Sequence, residues 1–214
     1  MSEGIPTYSF FQSSKKGEAE EVRLAKRVID NIKLGRTKVI DAYHSNYFSS
    51  EDLQELGSFI DSESTLIPVP QSVPLINSNA TWPSLEICKK LFDLGYGREI
   101  QPLIRRRVQV RKAAFQPTSE ERPSVQEHFD SLEVDYKPMI IESLDKIVFV
   151  DDVITQGRTS YACYQKLLNK LKKDIPVSVF ALVRSNNFNE INKAFYPKKG
   201  ELKSFDSGKT FHSF

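Results

Sequence analysis

The sequence predicts an α/β protein with a mostly parallel central sheet and helices on both faces. From Thr65 onward, apolar and amphipathic segments follow in the order strand, helix, strand, strand, helix, strand. That order is typical of a sheet with crossover helices. The strand candidates are near-continuous apolar runs, which favours parallel strands covered on both faces.

Four strands are predicted from these runs. Pro102 lies inside the second one and indicates a sheet edge or a strand start, because proline has no backbone N–H to donate. The predicted strands are Thr65–Val69, Ile100–Ile104, Ile147–Val150 and Val177–Val183.

Apolar residues spaced three and four apart predict four helices. Ser49 and Asp52 form an approximate capping box before the second helix, and Pro83 suits the first turn of the third. The predicted helices are Lys15–Leu34, one beginning near Ser49, one following Thr81 and ending at Gly95, and Gly157–Lys173. After Arg184 we expect a polar tail preceded by a short helix with Phe188, Ile191 and Phe195.

Length and composition point to one ordinary globular unit. The chain has 214 residues and a mass of 24.5 kDa, which at about 100–200 residues per domain predicts a single domain over residues 1–214. Its 39% hydrophobic and 27% charged residues exclude a disordered chain, a collagen-like repeat and a membrane bundle. No apolar run reaches about 18 residues, so no membrane partner is expected.

Cysteine content and net charge limit the compartment and the partners that can be expected. Cys88 and Cys163 are too few for a disulfide framework or a four-cysteine zinc site, and they suit small buried positions on helix inner faces. Met1–Phe10 lacks the pattern of a secretory signal, so we expect a cytoplasmic protein with reduced thiols. The net charge of +2 does not by itself argue for nucleic acid.

The segment with the most chemical information is Lys146–Ser160, KIVFVDDVITQGRTS. Asp151 and Asp152 follow a buried strand, and a short loop then leads into a helix. In open α/β sheets, ligands bind beyond the carboxyl ends of the strands. Gly157, neighbouring hydroxyls and the free N–H groups of a helix start suit a phosphate, whereas carboxylates suit vicinal hydroxyls. The combination predicts a ribose 5-phosphate site.

A Walker B strand is the alternative assignment for the two aspartates. It requires a P-loop, and the only Gly-Lys-Thr in the chain is Gly208-Lys209-Thr210. Lys203 occupies the position of the first P-loop glycine, so this alternative is disfavoured.

The segment VFVDDVITQGRTS resembles the phosphoribosyl-pyrophosphate motif of type I phosphoribosyltransferases: a hydrophobic strand, two acids, two aliphatics, Thr, a small or polar residue, Gly, any residue, and Thr or Ser. The resemblance implies that Asp151 and Asp152 are the catalytic pair and accept hydrogen bonds from the ribose hydroxyls. It implies Mg²⁺ as cofactor, held mainly through the ligand, and no protein metal site. The ribose-phosphate residues implied beside the two acids are Val153, Thr155, Gln156, Gly157, Arg158 and Thr159.

A weaker resemblance along the chain is to the ComF-like subgroup of this family. Leu66–Ser72 is similar to the first strand and pyrophosphate loop, and Pro102–Arg107 to an arginine-rich strand. Glu121-Arg122 and His128-Phe129 resemble the flexible loop and its closing strand. The pyrophosphate-binding residues that this resemblance implies are Pro70, Gln71, Ser72, Arg105 and Arg106.

The same resemblance implies an organisation of the chain. We expect N-terminal helices forming a small hood over 1–63, a core over 64–184 with a flexible loop at about 107–138, and a C-terminal extension over 185–214. A homodimer is also implied, since the family is commonly dimeric.

Three departures from the family pattern bear on function. The presumed pyrophosphate loop, Pro70–Asn79, has no glycine, lysine or arginine. Thr155 stands where many 6-oxopurine enzymes carry a third acid, so purine salvage is disfavoured. A cysteine-rich zinc module is missing, and Lys15–Leu34 with Tyr43–Tyr47 takes its place as the hood.

Two functions from different classes are therefore expected. The first is a Mg²⁺-dependent enzyme that transfers the phosphoribosyl group of phosphoribosyl pyrophosphate to or from a base or amine. The second is a non-catalytic sensor that binds phosphoribosyl pyrophosphate or a nucleotide and regulates a protein or nucleic-acid partner, as in DNA uptake or a bacterial defence system such as a retron.

Several other residues are open to more than one interpretation. The basic cluster of Arg105–Lys112 suits a solvated surface, a pyrophosphate-facing loop or, more weakly, nucleic-acid contact. Surface positions are expected for His44 and His128, and a frayed tail for His212. The aromatic residues considered for stacking on a base are Tyr43, Tyr47 and Trp82, with core packing as the alternative for Trp82.

Overall fold

A computed structural model describes residues 4–75, 80–111, 122–135, 137–186, 189–205 and 209–213. Its helices are α1 (Ala19–Lys33), α2 (Lys38–Asn46), α3 (Ser50–Phe59), α4 (Pro83–Asp93), α5 (Val125–Ser131), α6 (Pro138–Ser143) and α7 (Arg158–Leu168). Its strands are β1 (Ile5–Ser13), β2 (Ser64–Pro68), β3 (Glu99–Ile100), β4 (Ile104–Arg106), β5 (Leu132–Val134), β6 (Lys146–Ile154), β7 (Val177–Ser185), β8 (Phe195–Ser204) and β9 (Thr210–Ser213).

The central sheet has seven strands in the order β3-β2-β6-β7-β1-β8-β9. The first five are parallel to their neighbours, whereas β8 and β9 are added antiparallel at one edge. Strands β4 and β5 form a separate antiparallel pair. The predicted α/β class with a mostly parallel sheet is confirmed. Since parallel strands end at the same edge, the carboxyl ends of β2, β6, β7 and β1 meet there.

The sheet is covered on both faces, as continuous apolar runs require. Val148 and Val150 of β6 pack with Ile32 of α1 and Ile87 of α4. The alternate residues of the same strand, Ile147 and Phe149, belong to a second cluster. That cluster draws its buried helical residues from α5, α6 and α7: Val125, Ile141, Ala162, Cys163 and Leu167.

Proline divides the predicted strand Ile100–Ile104 into two short strands. Glu99–Ile100 pairs with β2, and Ile104–Arg106 pairs with β5. Pro102 lies between them and has no N–H with which to continue a ladder. The chain therefore leaves the central sheet at this point and enters the small hairpin.

Both ends of the chain differ from their predictions. Residues 1–63, expected as a hood of helices, also contribute β1 to the central sheet between β7 and β8. The short helix expected around Ile191 and Phe195 is wrong, because Phe195 begins β8 and lies opposite Phe11 of β1. The polar tail is an edge hairpin, β8–β9. Its pairing partner is at the other end of the chain, and helix-like spacing of apolar residues carries no information about such a partner. Phe188 is outside the described residues.

The segment predicted as a flexible loop at about 107–138 contains secondary structure in its described part. Helix α5 begins at a capping box, in which Ser124 accepts from the Glu127 amide and Glu127 accepts from the Ser124 amide. His128-Phe129 lies in this helix, and strand β5 follows it directly. Residues 112–121 and 136 are outside the described residues. Within the described ranges, no helix is long and apolar enough to cross a membrane.

Candidate functional site

The acidic pair lies within strand β6, because this strand continues past its predicted end at Val150 to Ile154. Successive side chains of a strand point to opposite faces. Asp151 accordingly contacts Ser160 of α7, and Asp152 contacts Lys33 of α1. The two carboxylates are therefore adjacent along the chain and are held by helices from opposite faces of the sheet.

Asp151 is buried and accepts one hydrogen bond on each of its carboxylate oxygens. Its Oδ2 accepts from Ser160 Oγ at 3.0 Å, and its Oδ1 accepts from the Asp152 amide at 2.9 Å. Burial, and then the negative charge of Asp152, raise the pKa of Asp151 above its usual range. This carboxyl therefore holds its proton to higher pH than an exposed aspartate does.

Asp152 forms an ion pair with Lys33, the last residue of α1. The Lys33 side chain is 53% exposed, so its ammonium group is held at the carboxylate while remaining accessible to solvent and to a ligand. Lys33 is not among the site residues predicted from the sequence. The two partners are 119 positions apart, and one lysine among many on a polar helix face provides no signal.

Gly157 shapes the loop between β6 and α7. Its φ of +68° is in the left-handed region, where glycine pays no steric penalty. A Cβ at this position would lie 2.5 Å from Leu202 Cδ1 of strand β8. Both the backbone conformation and the packing therefore require glycine here, and the C-terminal hairpin closes against the loop.

Helix α7 begins directly after Gly157. The Gly157 carbonyl accepts the first hydrogen bond of the helix, from the Tyr161 amide at 2.8 Å. The earlier amides of a helix have no intrahelical acceptor and favour an anion. They open on a cleft whose lining combines the loop, the start of α7 and the segment before α5. The lining residues are Arg122, Pro123, His128, Asp151, Val153, Ile154, Thr155, Gln156, Gly157, Arg158 and Thr159.

The Arg158 side chain links two parts of the cleft lining. Its Nη1 donates to the Arg122 carbonyl at 3.0 Å and to the Pro123 carbonyl at 3.1 Å. Burial, and then the charge of Arg122, lower the pKa of Arg158 from its usual value. The guanidinium thus ties the start of α7 to the segment that leads into α5.

Three of the predicted pyrophosphate residues, Pro70, Gln71 and Ser72, lie after β2 and beside the end of β6. The Val69 amide donates to the Val150 carbonyl at 2.8 Å, which places Pro70 next to the acidic pair. The Gln71 carbonyl accepts from Arg106 Nε at 2.9 Å, and the Ser72 carbonyl accepts from the Val110 amide at 2.9 Å. Residues 76–79 of the presumed loop are outside the described residues.

The basic cluster is divided between the interior and the surface. Arg106 is 5% exposed and donates to Gln71, Ser131 and His128. Arg105 is exposed, 3.6 Å from Asp135, and Arg111 pairs with Glu127 at 3.0 Å. Arg107 is exposed, and Lys112 is outside the described residues. The structure therefore uses Arg106 to anchor the loop after β2.

Two of the three histidines differ from their predictions. His128 is buried in α5 and lines the cleft, so its expected surface position is wrong. His212 lies in β9 and not in a frayed tail, with its Nε2 2.8 Å from Thr7 Oγ1. Burial, followed by the charge of Arg184, lowers the pKa of His212 to about 4. His44 contacts the Tyr96 hydroxyl at 2.9 Å.

The aromatic residues considered for base stacking lie away from the cleft lining. Trp82 is buried, and its Nε1 donates to the Val69 carbonyl at 2.9 Å, which confirms the core alternative. Tyr43 stacks on Phe195 with ring centroids 3.9 Å apart. Tyr47 is 65% exposed at the edge of this aromatic group. Cys88 and Cys163 are fully buried, as predicted.

With the acidic pair and the cleft placed, the chain was compared with known proteins. No family model matches it. A search of curated proteins likewise finds no match.

Proposed function

We propose that the chain binds a ribose 5-phosphate compound, phosphoribosyl pyrophosphate or a nucleotide, at the carboxyl end of β6. The observation that carries the proposal is that Asp151 and the Thr155–Thr159 loop line the same cleft. One side of this cleft offers the Asp151 carboxyl as an acceptor for a diol, and the other offers helix amides and hydroxyls for a phosphate. A ribose 5-phosphate carries both groups.

The proposed reaction is transfer of the phosphoribosyl group to or from a base or amine. The bond between C1 and a pyrophosphate oxygen breaks, and a bond between C1 and the acceptor nitrogen forms, through an oxocarbenium-like state. Asp151 and Asp152 hold the ribose hydroxyls and place negative charge near the sugar. The contribution of the protein is orientation and preorganised charge.

Mg²⁺ fits this site as an ion held chiefly by the ligand. Among the described residues, no group of three acidic, histidine or cysteine side chains is arranged to hold a metal. Asp151 and Asp152 supply carboxylate oxygens, the donor type that Mg²⁺ prefers, and the ion usually keeps phosphate and water ligands as well. When bound, the ion neutralises charge on the departing pyrophosphate.

The hydrogen bonds of Arg106 within the protein favour a second candidate function, a non-catalytic sensor. Its guanidinium donates to Gln71, Ser131 and His128, and the neighbouring loop Pro70–Asn79 contains no basic residue. An enzyme needs cationic or amide donors for pyrophosphate, whereas a sensor needs only to hold the sugar phosphate. The proposed binding site is common to both functions.

Calorimetry with phosphoribosyl pyrophosphate and Mg²⁺ tests the proposal. The wild type should bind, the double variant Asp151→Asn/Asp152→Asn should not, and Asp93→Asn, an exposed carboxylate in α4, should bind like the wild type. Release of pyrophosphate on addition of a panel of bases would support the transferase. Binding without turnover would support the sensor, and no binding by the wild type would contradict both.

A further inference from the structure

A row of three side chains leads from the interior to the cleft. Arg106 Nη2 is 3.5 Å from His128 Nδ1, and His128 Nε2 is 3.4 Å from Thr159 Oγ1. Arg106 and His128 are buried, at 5% and 6% exposure. His128 and Thr159 both line the cleft, so the row ends where the phosphate of the proposed ligand would lie.

The guanidinium fixes the direction of the hydrogen bonds in this row. Arginine has only N–H groups and no acceptor, so Arg106 can contact His128 Nδ1 only as a donor. Nδ1 therefore carries the lone pair, and the ring proton of a neutral imidazole lies on Nε2. Nε2 in turn donates to Thr159 Oγ1. The Thr159 hydroxyl proton is therefore not used in this contact and can be donated to another acceptor.

The surroundings of His128 keep its ring neutral. Burial, and then the charge of Arg106, lower the pKa of His128 to about 4; Arg158 of α7 acts in the same direction, and Glu127 opposes it. Near neutral pH the imidazole therefore has one donor and one acceptor nitrogen.

We propose that Arg106, His128 and Thr159 form an oriented hydrogen-bond chain that turns the Thr159 hydroxyl proton into the cleft and makes it a donor to a phosphate monoester. His128 is then a positioning residue that acts through Thr159. The inference rests on the proposed function, since it assigns a further part of the same phosphate site. A hydroxyl whose oxygen already accepts a hydrogen bond is a stronger donor, because hydrogen bonds in a chain polarise one another.

Variants of His128 separate this role from mere packing. His128→Leu removes both ring nitrogens, whereas His128→Gln keeps an acceptor for Arg106 and a donor for Thr159. Using ribose 5-phosphate as the probe in calorimetry, we expect His128→Leu and Thr159→Val each to weaken binding about tenfold, the usual worth of a hydrogen bond to a charged group. His128→Gln should recover most of the affinity.

A double-variant cycle tests whether His128 acts through Thr159. His128→Leu should cost almost nothing further in a Thr159→Val background, because the hydroxyl that it orients is already gone. Losses that multiply, or a His128→Gln variant as weak as His128→Leu, would overturn the inference and leave the proposed function standing. A wild type that does not bind ribose 5-phosphate would overturn both.

The ring protonation is measurable without any ligand. Nitrogen-15 NMR of the three histidines should show a neutral ring protonated on Nε2, assigned to His128 by its loss in His128→Gln. A ring protonated on Nδ1, or on both nitrogens at neutral pH, would contradict the chain even if ribose 5-phosphate binds.

Discussion

The ammonium group of Lys33 at the end of α1 is paired with the carboxylate of Asp152 in β6. This contact joins the N-terminal helix to the candidate ribose site and places one positive charge beside two adjacent carboxylates. A ribose diol that binds to Asp152 must share or replace the contact with Lys33. The charge of the candidate site thus depends on a residue from outside the motif.

Replacing Lys33 with methionine should raise the pKa of Asp151 further, because Lys33 is among the charges that lower it. The titration is measured by carbon-13 NMR of the aspartate carboxyl groups between about pH 4 and 9, the range above the ordinary aspartate pKa of about 3.9. Lys33→Arg should titrate like the wild type, as should Lys26→Met, which removes an exposed charge from the same helix. An unchanged titration in Lys33→Met would show that the charge of Lys33 does not influence the Asp151 carboxyl.

Asp151→Asn should become more stable relative to the wild type as pH rises. In the unfolded chain an aspartate titrates near about 3.9, whereas burial and Asp152 raise the pKa of folded Asp151. Between the two values the folded state binds more protons than the unfolded state, so its stability falls as pH increases. Asparagine does not titrate and escapes this loss. Urea unfolding at several pH values measures the difference, and a difference independent of pH would refute the argument.

Gly157→Ala should destabilise the fold and distort the loop. The left-handed backbone costs about 1–2 kcal/mol for a residue with a Cβ, and overpacking against Leu202 adds about 1–3 kcal/mol. Gly57→Ala in α3 is the matched control, because a Cβ there meets nothing within 4 Å and the helix gains about 0.5–1 kcal/mol. Chemical denaturation measures both; equal effects of the two substitutions would contradict the packing of β8 against the loop.

Arg106→Met should destabilise the protein by about 2–4 kcal/mol, because it removes a buried guanidinium that donates to the Gln71 and His128 carbonyls and to Ser131. Arg105→Met, one position away and exposed, should change stability by less than about 0.5 kcal/mol. Hydrogen exchange of the Val110 amide, which donates to the Ser72 carbonyl, should also accelerate only in the Arg106 variant. An equal loss of stability in Arg105→Met and Arg106→Met would mean that Arg106 does not anchor the loop.

The fold class and the candidate motif were predictable because their signals are local. Near-continuous apolar runs mark strands buried on both faces, and those for β2, β6 and β7 lie where they were expected. Asp151, Gly157 and Thr159 are close along the chain, so a strand followed by a loop and a helix is enough to bring them to one cleft. The proposed binding of a ribose 5-phosphate rests on that order of residues.

Only the tertiary structure decided what surrounds this motif. Strands β1 and β8 pair although they lie near opposite ends of the sequence, and Thr7 contacts His212, which is 205 positions away along the chain. Such contacts follow from the packing of the sheet edge, and polar strands like β8 carry no local pattern that predicts their partner. Lys33 and His128 reach the site for the same reason. The sequence by itself determined an acidic pair followed by a glycine-containing loop and a helix start; three-dimensional packing determined the positive charge of Lys33 beside the pair and the buried His128 beside the loop.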